Sequence, residues 1–357
     1  MELFEPIIDD FNQPLVSVLV YNYNYGRYLE ACLNSVIQQS YKNIEIVFSD
    51  NASTDSSWEI AMDFVARYPG KMTVVRNARN LGPGENYHNC VKVMRGNYCV
   101  VLGSDDMLMP TFVEQCVNVF RKNAHIAFVM THCAVIDAEG NRQDDPPFYN
   151  QSCVINGQDQ AAVYMMAAVN PSISQIMYDR LKMQHTERMI GAFASRWYGM
   201  RILDFNLCTQ YPMAYIKDPL LLFRIHGQND SLSASEDLLE VMGPYILVRQ
   251  FYEAAKIVNF QKVIERLPAA VEKLALLSLR YCIRHLNSGN PRTAKRYFHL
   301  APSLNPDVTE DTTYLKLEQY WRADEQQQGV ILADLCDVNN LVTRSVSYDP
   351  PQGSVAL

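Results

Sequence analysis

The chain is predicted to form an α/β domain with an open, mainly parallel sheet flanked by helices, followed by a helical region. Two observations support this fold class. Short β-branched apolar runs alternate with segments of helical spacing through the first half of the 357 residues, which is the rhythm of an open α/β sheet. From about residue 236 to about residue 328 the pattern is almost wholly helical.

The strands are short apolar runs bounded by turn residues. The first run, LVSVLVY at 15–21, is β-branched and is expected to be a buried strand. Further strands are predicted at 44–49, 72–77, 98–103, 126–137 and 213–227.

The helices are marked by apolar residues that recur every three or four positions. The first helix is predicted over 28–40, and one face of it carries Leu29, Cys32, Leu33, Val36 and Ile37. Helices are also predicted at 56–69, 84–96, 110–123 and 157–169.

Two domains are predicted, an α/β domain over 1–235 and a helical region over 236–357. Ser233 followed three residues later by Glu236 forms a capping box, which is typical of a helix start and marks the boundary. The last residues, SVSYDPPQGSVAL, are expected to be a mobile tail.

Composition limits the class of partner and the compartment. The formal net charge of −8 argues against a nucleic-acid surface, which needs clustered Lys and Arg. The 9 cysteines form no CxxC pair, so they are expected to be reduced core residues of a cytoplasmic protein and not a zinc site. No apolar run reaches the length of about 18 residues that a membrane span needs.

Polar residues lie at the carboxyl ends of the predicted strands. Asp50 and Asn51 end the second strand, and Asp105 and Asp106 follow the fourth. Ligands of open α/β sheets bind at the carboxyl ends of the strands, so these side chains are expected to face one crevice. Two adjacent carboxylates are costly without a counter-charge, and oxygen ligands suit Mg²⁺ or Mn²⁺. The pattern therefore predicts a metal that holds a nucleotide diphosphate.

A structural role is the alternative for each of these motifs. An aspartate after a strand is often a helix N-cap, where it balances the helix dipole. The stretch DNASTD at 50–55 is also compatible with an Asx turn that leads into a helix.

Three stretches together resemble the family 2 glycosyltransferases, which have the Rossmann-like GT-A fold of nucleotide-diphospho-sugar transferases. The first is VSVLVYNYNYGRYLEACLNSVIQQSYKNIEIVFSDNASTD, and the second is NLGPGENYHNCVKVMRGNYCVVLGSDD. The third, ILDFNLCTQYPMAYIKDPLLLFRIHGQNDSLS, is similar to the acceptor half of the family. The resemblance covers about 15–233 and implies inverting sugar transfer from a nucleotide-sugar, with UDP as the expected nucleotide.

The resemblance also implies roles for individual residues. Asp204 would be the general base that deprotonates the acceptor, and its alternative is a helix N-cap. His226 would bind the metal or the diphosphate, and its alternative is a structural histidine. Asp105 would bind Mn²⁺ or Mg²⁺, supported by Asp106. The donor-binding set as a whole is Tyr21, Tyr23, Asn24, Asp50, Asn51, Asn80, Gly82, Ser104, Asp105 and Asp106.

The sequence departs from the family pattern at three places. Tyr21 and Asn22 replace the usual Pro-Thr, Gly103 replaces the first aspartate of the metal motif, and Leu203 replaces the glutamate before Asp204. Two other functions stay open. One is a nucleotidyltransferase, although the first strand lacks its Gly-rich phosphate loop, and the other is a non-catalytic nucleotide-sugar or glycan-binding module.

The expected partners are a nucleotide-sugar donor and a glycan or lipid-linked acceptor, in surface polysaccharide or glycolipid synthesis. Two helices joined at Asn287–Pro291 are locally basic. Basic helices can lie on anionic lipid, so contact with the inner face of the membrane is left open beside the alternative of a solvated face. Homo-oligomer formation through the helical region is also left open.

Overall fold

The computed structural model describes residues 13–166, 172–190, 199–227, 237–338 and 346–357. They fall into two compact units. The first unit comprises Met1–Gln160, Asn170–His226 and Val346–Leu357, and the second comprises Ala161–Val169 and Gly227–Ser345. The predicted boundary at 235/236 and the predicted capping box lie outside the described residues.

The half of the sheet that carries the polar strand ends is parallel. β1 (Val16–Asn22) pairs with β2 (Ile44–Asp50) on one side and with β4 (Tyr98–Gly103) on the other. β2 pairs in turn with β3 (Met72–Arg76). All four strands begin and end within one residue of the predicted limits. The apolar runs of β1, β2 and β4 are buried, whereas β3 lies at the edge and is only partly covered.

The other half of the 11-stranded sheet is mixed. β9 (Ile176–Asp179) lies antiparallel between β4 and β6 (Phe128–Ile136). β6 runs parallel to β10 (Met213–Arg224), which also pairs antiparallel with β8 (Cys153–Ile155). Two short strands, β5 (Met107–Leu108) and β7 (Arg142–Gln143), pair with β10 and β6. The predicted α/β class is confirmed, with antiparallel strands added to the parallel core.

The helices of this unit follow the strands in the expected alternation. In α1 (Gly26–Ile37) the predicted face is buried at Leu29, Cys32, Leu33 and Val36 and partly buried at Ile37, which packs the helix against the sheet. The other helices of the unit are α2 (Ser57–Arg67), α3 (Pro83–Val93), α4 (Phe112–Lys122), α6 (Arg180–Ile190) and α7 (Gly199–Cys208). α5 (Gly157–Met166) begins in this unit and continues into the second, which contains Ala161–Val169.

The end of the chain differs from the predicted mobile tail. β11 (Val355–Ala356) pairs antiparallel with β8, and the Leu357 backbone N–H donates to the carbonyl of Ser152 at 3.2 Å. The Tyr348 ring packs on Phe148 with 5.4 Å between ring centroids. These residues therefore cover the edge strand of the sheet and belong to the first unit.

Removal of residues 346–357 is expected to lower the free energy of unfolding by about 1–2 kcal/mol, because an aromatic contact is lost. It is also expected to increase aggregation, because the edge of β8 is uncovered. Chemical denaturation and light scattering measure the two effects. Tyr348→Phe, which keeps the ring, is the control and should behave as wild type. An unchanged midpoint and unchanged scattering after truncation would contradict this role of the tail.

The second unit is helical. Its helices are α8 (Leu239–Ile257), α9 (Gln261–Ile264), α10 (Leu267–Asn287), α11 (Pro291–Leu304), α12 (Thr312–Arg322) and α13 (Glu325–Val338). α10 and α11 form a hairpin whose turn coincides with the predicted joint. In the part of the chain that the structure describes, no helix has the length and apolar character needed to cross a bilayer.

Candidate active site

The strand register brings the predicted polar residues to one edge of the parallel half-sheet. Tyr21 in β1 is paired with Gly103 in β4, and the next residue of β1, Asn22, is paired with Asp50 in β2. Asp50 is in turn paired with Arg76 in β3. Because adjacent strands lie about 4.8 Å apart, the carboxyl ends of four strands form one continuous rim.

Asp50 is fully buried within this rim, at 0% relative exposure. Its oxygens accept hydrogen bonds from Asn22 Nδ2 at 3.3 Å and from the Ser53 backbone N–H at 3.1 Å. Arg76 Nε lies 3.3 Å from Asp50 Oδ2, and the Arg76 guanidinium stacks on Trp58 at 4.8 Å. The Arg76 side chain is 42% exposed, so this buried carboxylate orients a cation that reaches the surface.

Arg76 was not singled out by the sequence reasoning. The feature of the sequence that could have indicated it is its position as the last residue of β3, which pairs with the strand that ends in Asp50. Asn22 was likewise named only as a departure from the family pattern. Among the described atoms, Asn22 Oδ1 is buried and has no hydrogen-bond donor, which leaves an acceptor beside Asp50.

The loops after β1 and β2 lock together through Asn24. Asn24 Oδ1 accepts from the Thr54 backbone N–H at 2.8 Å, and the Asn24 backbone N–H donates to Ser53 Oγ at 3.0 Å. Asn24 and Ala52 both adopt positive φ angles, 58° and 61°, and such strain is typical of functional loops. Between these loops Tyr23 is 42% exposed and is free to meet a ligand.

Asn51 fixes the loop that leads into α3. Its Nδ2 donates to Asn80 Oδ1 at 2.8 Å and to the Gly82 carbonyl at 3.1 Å. Its Oδ1 accepts from the Leu81 backbone N–H at 2.9 Å. Gly82 has a φ of +86°, a conformation that disfavours other residues. Asn51, Asn80 and Gly82 therefore lie together, and Asn51 acts as the organiser of this loop. Nearby, the Tyr21 ring meets Tyr87 edge-on at 6.4 Å.

The two adjacent carboxylates have different environments. Asp106 is 2% exposed, and it accepts from the Arg224 backbone N–H at 2.9 Å and from Ser174 Oγ at 2.6 Å. Burial, together with the neighbouring Asp105 carboxylate, raises the pKa of Asp106 to about 7. Ser104 is also buried, at 4% exposure. Asp106 is thus turned into the protein, where it ties the loop to β10.

Asp105 faces His226. Asp105 Oδ2 lies 3.1 Å from His226 Nε2, and their side chains are 17% and 2% exposed. The His226 ring is held by Tyr28, with ring centroids 4.8 Å apart, and by Tyr25 at 5.5 Å. Arg224 Nε donates to the Asp105 carbonyl at 2.9 Å. The loop after β4, which carries Asp105, and the ring of His226 are therefore fixed against each other by buried contacts.

A divalent cation fits the Asp105–His226 pair by the chemistry of its donors. A carboxylate oxygen and an imidazole nitrogen are both ligands of Mn²⁺, and Mg²⁺ commonly keeps water and substrate oxygens in its remaining positions. Within the described ranges, no group of three or more His, Cys, Asp or Glu residues is close enough to hold a metal ion. Within those ranges Asp105 and His226 would supply two protein ligands, and oxygens of the substrate diphosphate would add to them.

The surroundings of Gly103 explain why this position, where the family has an aspartate, holds a residue without a side chain. A Cβ added at Gly103 would lie 2.9 Å from Asp105 Oδ1 and 3.1 Å from Asp106 Oδ2. Both carboxylates therefore fold over this glycine, and a side chain there would displace them.

Gly103→Ala is expected to lower kcat by about 10-fold or more, because Asp105 would have to rotate away from His226. Steady-state kinetics and thermal denaturation of the same samples separate this effect from unfolding. Gly84→Ala, at a position where a Cβ meets nothing within 4 Å, is the control. If Gly103→Ala kept the wild-type kcat, the close approach of the Asp105 and Asp106 carboxylates to the backbone at Gly103 would not be needed for activity.

Asp204 is not at this rim. It is 0% exposed, accepts from Tyr178 Oη at 2.7 Å, and pairs with Arg201 Nη1 at 2.6 Å. Tyr178 is paired with Cys99, which lies about 13 Å along β4 from Gly103 at the rise of a strand. Burial raises the pKa of Asp204, and Arg201 opposes that rise. Among the described residues Asp204 has the environment of a buried ion pair, and its role as the general base stays a prediction.

Two further residues of the site were missed by sequence reasoning. Arg224 is 5% exposed and also donates to the carbonyl of Asp137 at 2.9 Å. It was recognised only as part of an Arg-x-His pattern. Ser174 Oγ accepts from the Gly103 backbone N–H at 2.9 Å as well as binding Asp106. It lies in a stretch without clear periodicity, so no sequence signal pointed to it.

Comparison with known proteins places the chain in a family. The model of glycosyl transferase family 2 matches residues 17–194, a span that contains the parallel half-sheet except for the first residue of β1. The chain belongs to glycosyl transferase family 2. The predicted family and the predicted enzyme class are thereby confirmed. An uncharacterized glycosyltransferase of Nostoc sp., alr2836, is 28% identical over 225 residues, which are 62% of this chain and 67% of that protein.

Other family 2 relatives are matched over shorter stretches. The chondroitin synthase of Escherichia coli is 34% identical over 128 residues, which are 36% of this chain and 18% of that protein. The abequosyltransferase RfbV of Salmonella typhimurium is 42% identical over 96 residues, which are 26% of this chain and 29% of that protein. This family 2 chain therefore spans only a minor part of either relative.

A solved structure shows the same fold. The crystal structure of S. aureus TarS 1-349 in complex with UDP-GlcNAc superposes with a TM-score of 0.54, covers 86% of this chain and 91% of that one, and is 17% identical. The predicted GT-A fold is confirmed by this likeness and by the family match.

Proposed function

We propose that this family 2 glycosyltransferase moves a sugar from a nucleotide-sugar donor, with UDP as the nucleotide, to an acceptor hydroxyl. The observation that carries the proposal is the common rim that joins Asp50 to the Asp105–His226 pair across the parallel strands. The similarity to TarS, whose structure was determined with UDP-GlcNAc, supports a donor of this kind.

The nucleoside end of the donor is assigned to the Asp50 side of the rim. Asn22 Oδ1 is a buried acceptor beside Asp50, and it suits the imide N–H of a uracil. Arg76, oriented by Asp50 and stacked on Trp58, provides a positive charge and a planar surface. Tyr23, Asn51, Asn80 and Gly82 complete this side in the proposal, with Asn24 holding the loop.

The diphosphate end is assigned to Asp105 and His226. In this chain of net charge −8 the diphosphate would be repelled, so a counter-charge is needed at this end. Bound Mn²⁺ or Mg²⁺ would supply charge neutralisation of the leaving diphosphate. Asp105 and His226 would hold it, Asp106 would fix the loop, and Tyr28 would orient the imidazole.

We propose inversion at the anomeric carbon by a single displacement. The acceptor oxygen forms its bond to the anomeric carbon on one face while the bond to the diphosphate oxygen breaks on the other. The electron pair of the broken bond leaves with the nucleotide, and the proton of the acceptor hydroxyl passes to water. No covalent glycosyl-enzyme is formed. The acceptor proposed is a glycan or lipid-linked hydroxyl in surface polysaccharide or glycolipid synthesis, at the cytoplasmic side of the membrane.

A panel of nucleotide-sugars tests the function. Slow hydrolysis of one UDP-sugar is expected in the presence of Mn²⁺ or Mg²⁺, and a chelator should abolish it. Arg76→Gln should raise KM for that donor by about 10-fold, because a charged contact is lost. Binding of a UDP-sugar without hydrolysis or transfer to any added glycan would favour a non-catalytic binding module. Absence of both binding and turnover across the panel would overturn the proposal.

A further inference from the structure

The hairpin of α10 and α11 has an unusual distribution of charge for this acidic chain. Between Glu272 and Asp307 the sequence contains no acidic residue. The same stretch carries six fixed positive charges. One is Lys273, and we call the other five the basic hairpin: Arg280, Arg284, Arg292, Lys295 and Arg296. A local excess of this size stands out in a chain whose formal net charge is −8.

The scaffold under these charges is well packed. Ser278 Oγ donates to the carbonyl of Tyr297 at 2.7 Å, which links the two helices. The Tyr297 ring stacks between Tyr281, with ring centroids 5.3 Å apart, and His285 at 5.5 Å. The basic side chains therefore project from a fixed pair of helices, and their backbone positions need not be ordered when a ligand binds.

The charges are available to a partner. All five side chains of the basic hairpin are exposed. Within the part of the chain that the structure describes, Arg280, Arg284, Arg292 and Lys295 form no ion pair with a carboxylate. Arg280 and Arg284 are one helical turn apart, as are Arg292 and Arg296, so each helix presents a basic stripe.

We infer that the basic hairpin docks this protein on an anionic phospholipid surface. Charge complementarity carries the inference, since basic residues near an anionic bilayer bind in proportion to their number. The proposal concerns the second unit alone and does not depend on the donor or the reaction proposed for the first unit.

A bilayer fits this arrangement better than a long soluble polyanion. A bilayer offers many anionic headgroups in one plane, so the basic stripes of two packed helices can meet several of them at once. Single-stranded nucleic acids further need exposed aromatic platforms, and Tyr281 and Tyr297 are engaged in the helix packing.

Vesicle co-sedimentation tests the inference. The full chain is mixed with vesicles of phosphatidylcholine alone or of phosphatidylcholine with phosphatidylglycerol. Binding is expected only to the anionic vesicles, and should fall steeply as salt is raised from about 0.05 M to about 0.5 M. A variant with Arg280→Gln, Arg284→Gln, Arg292→Gln and Lys295→Gln should lose at least about 100-fold in partition coefficient.

A matched control removes the same charge from the first unit. It combines Lys92→Gln, Arg121→Gln, Lys122→Gln and Lys217→Gln, all at exposed positions, and should bind anionic vesicles as wild type does. Equal loss in both variants would show a net-charge effect and overturn the inference. No binding by wild type, or binding to a soluble polyanion such as heparin but not to vesicles, would also overturn it. Circular dichroism checks that both variants keep wild-type helix content.

Discussion

Asp105→Asn is expected to reduce sugar transfer by about 10²–10³-fold, the range found when one charge-stabilising group is removed from a transition state. The amide keeps the size of the carboxylate and can still meet His226. It loses the negative charge that would hold a cation against the departing diphosphate. The loss should therefore appear in kcat, and titration with Mn²⁺ in the presence of UDP should show weaker metal binding.

Asp218→Asn provides a matched control for this variant. Asp218 is an exposed aspartate of β10 in the same unit, so its neutralisation changes the net charge equally without touching the rim. It should leave kcat and Mn²⁺ binding unchanged. If Asp105→Asn kept both, the assignment of the diphosphate end to the Asp105–His226 pair would be refuted. UDP binding that survives at the Asp50 side would still support the nucleoside half of the proposal.

The parallel half of the fold and its rim could be predicted because their signals are local. A short apolar run in the sequence indicates each buried strand. The rule that ligands bind at the carboxyl ends of the strands applies to any open α/β sheet. Asp50 and Asp105 were placed on one rim by that rule alone, and the strand register agrees. The donor roles of these residues still await the experiments above.

Two features could not be predicted: the antiparallel strands of the mixed half-sheet, and the different environments of Asp105 and Asp106. β9 is only four residues long and lies in a stretch without periodicity. Asp105 and Asp106 are adjacent in sequence, yet Asp106 turns inward because Arg224 and Ser174 donate to it. Those donors come from distant parts of the chain, so no local pattern distinguishes the two carboxylates.

The assignment of Asp204 shows the same limit. The motif argument placed it by order along the chain, but its surroundings are decided by Tyr178, which is 26 residues away in sequence, and by the neighbouring Arg201. The local sequence around an aspartate on a helix is the same whether its carboxylate faces a cleft or a buried guanidinium. The distinction matters, because the two environments predict different outcomes for the same substitution.

Asp204→Leu is expected to destabilise the fold by about 3–5 kcal/mol, because it leaves a buried cation without its partner. Arg201 is 5% exposed and its Nη1 lies 2.6 Å from Asp204 Oδ2, so water cannot replace the carboxylate. Arg201→Met should cost a similar amount for the reciprocal reason. Chemical denaturation of each variant measures the change in the free energy of unfolding.

The double variant Arg201→Met with Asp204→Leu decides between a structural and a catalytic role. Because both charges are removed together, its stability should recover to within about 1–2 kcal/mol of wild type. If the pair is structural, kcat per folded molecule should match wild type. A double variant that is stable but has lost transfer, while it still hydrolyses the donor, would restore Asp204 as the base that activates the acceptor.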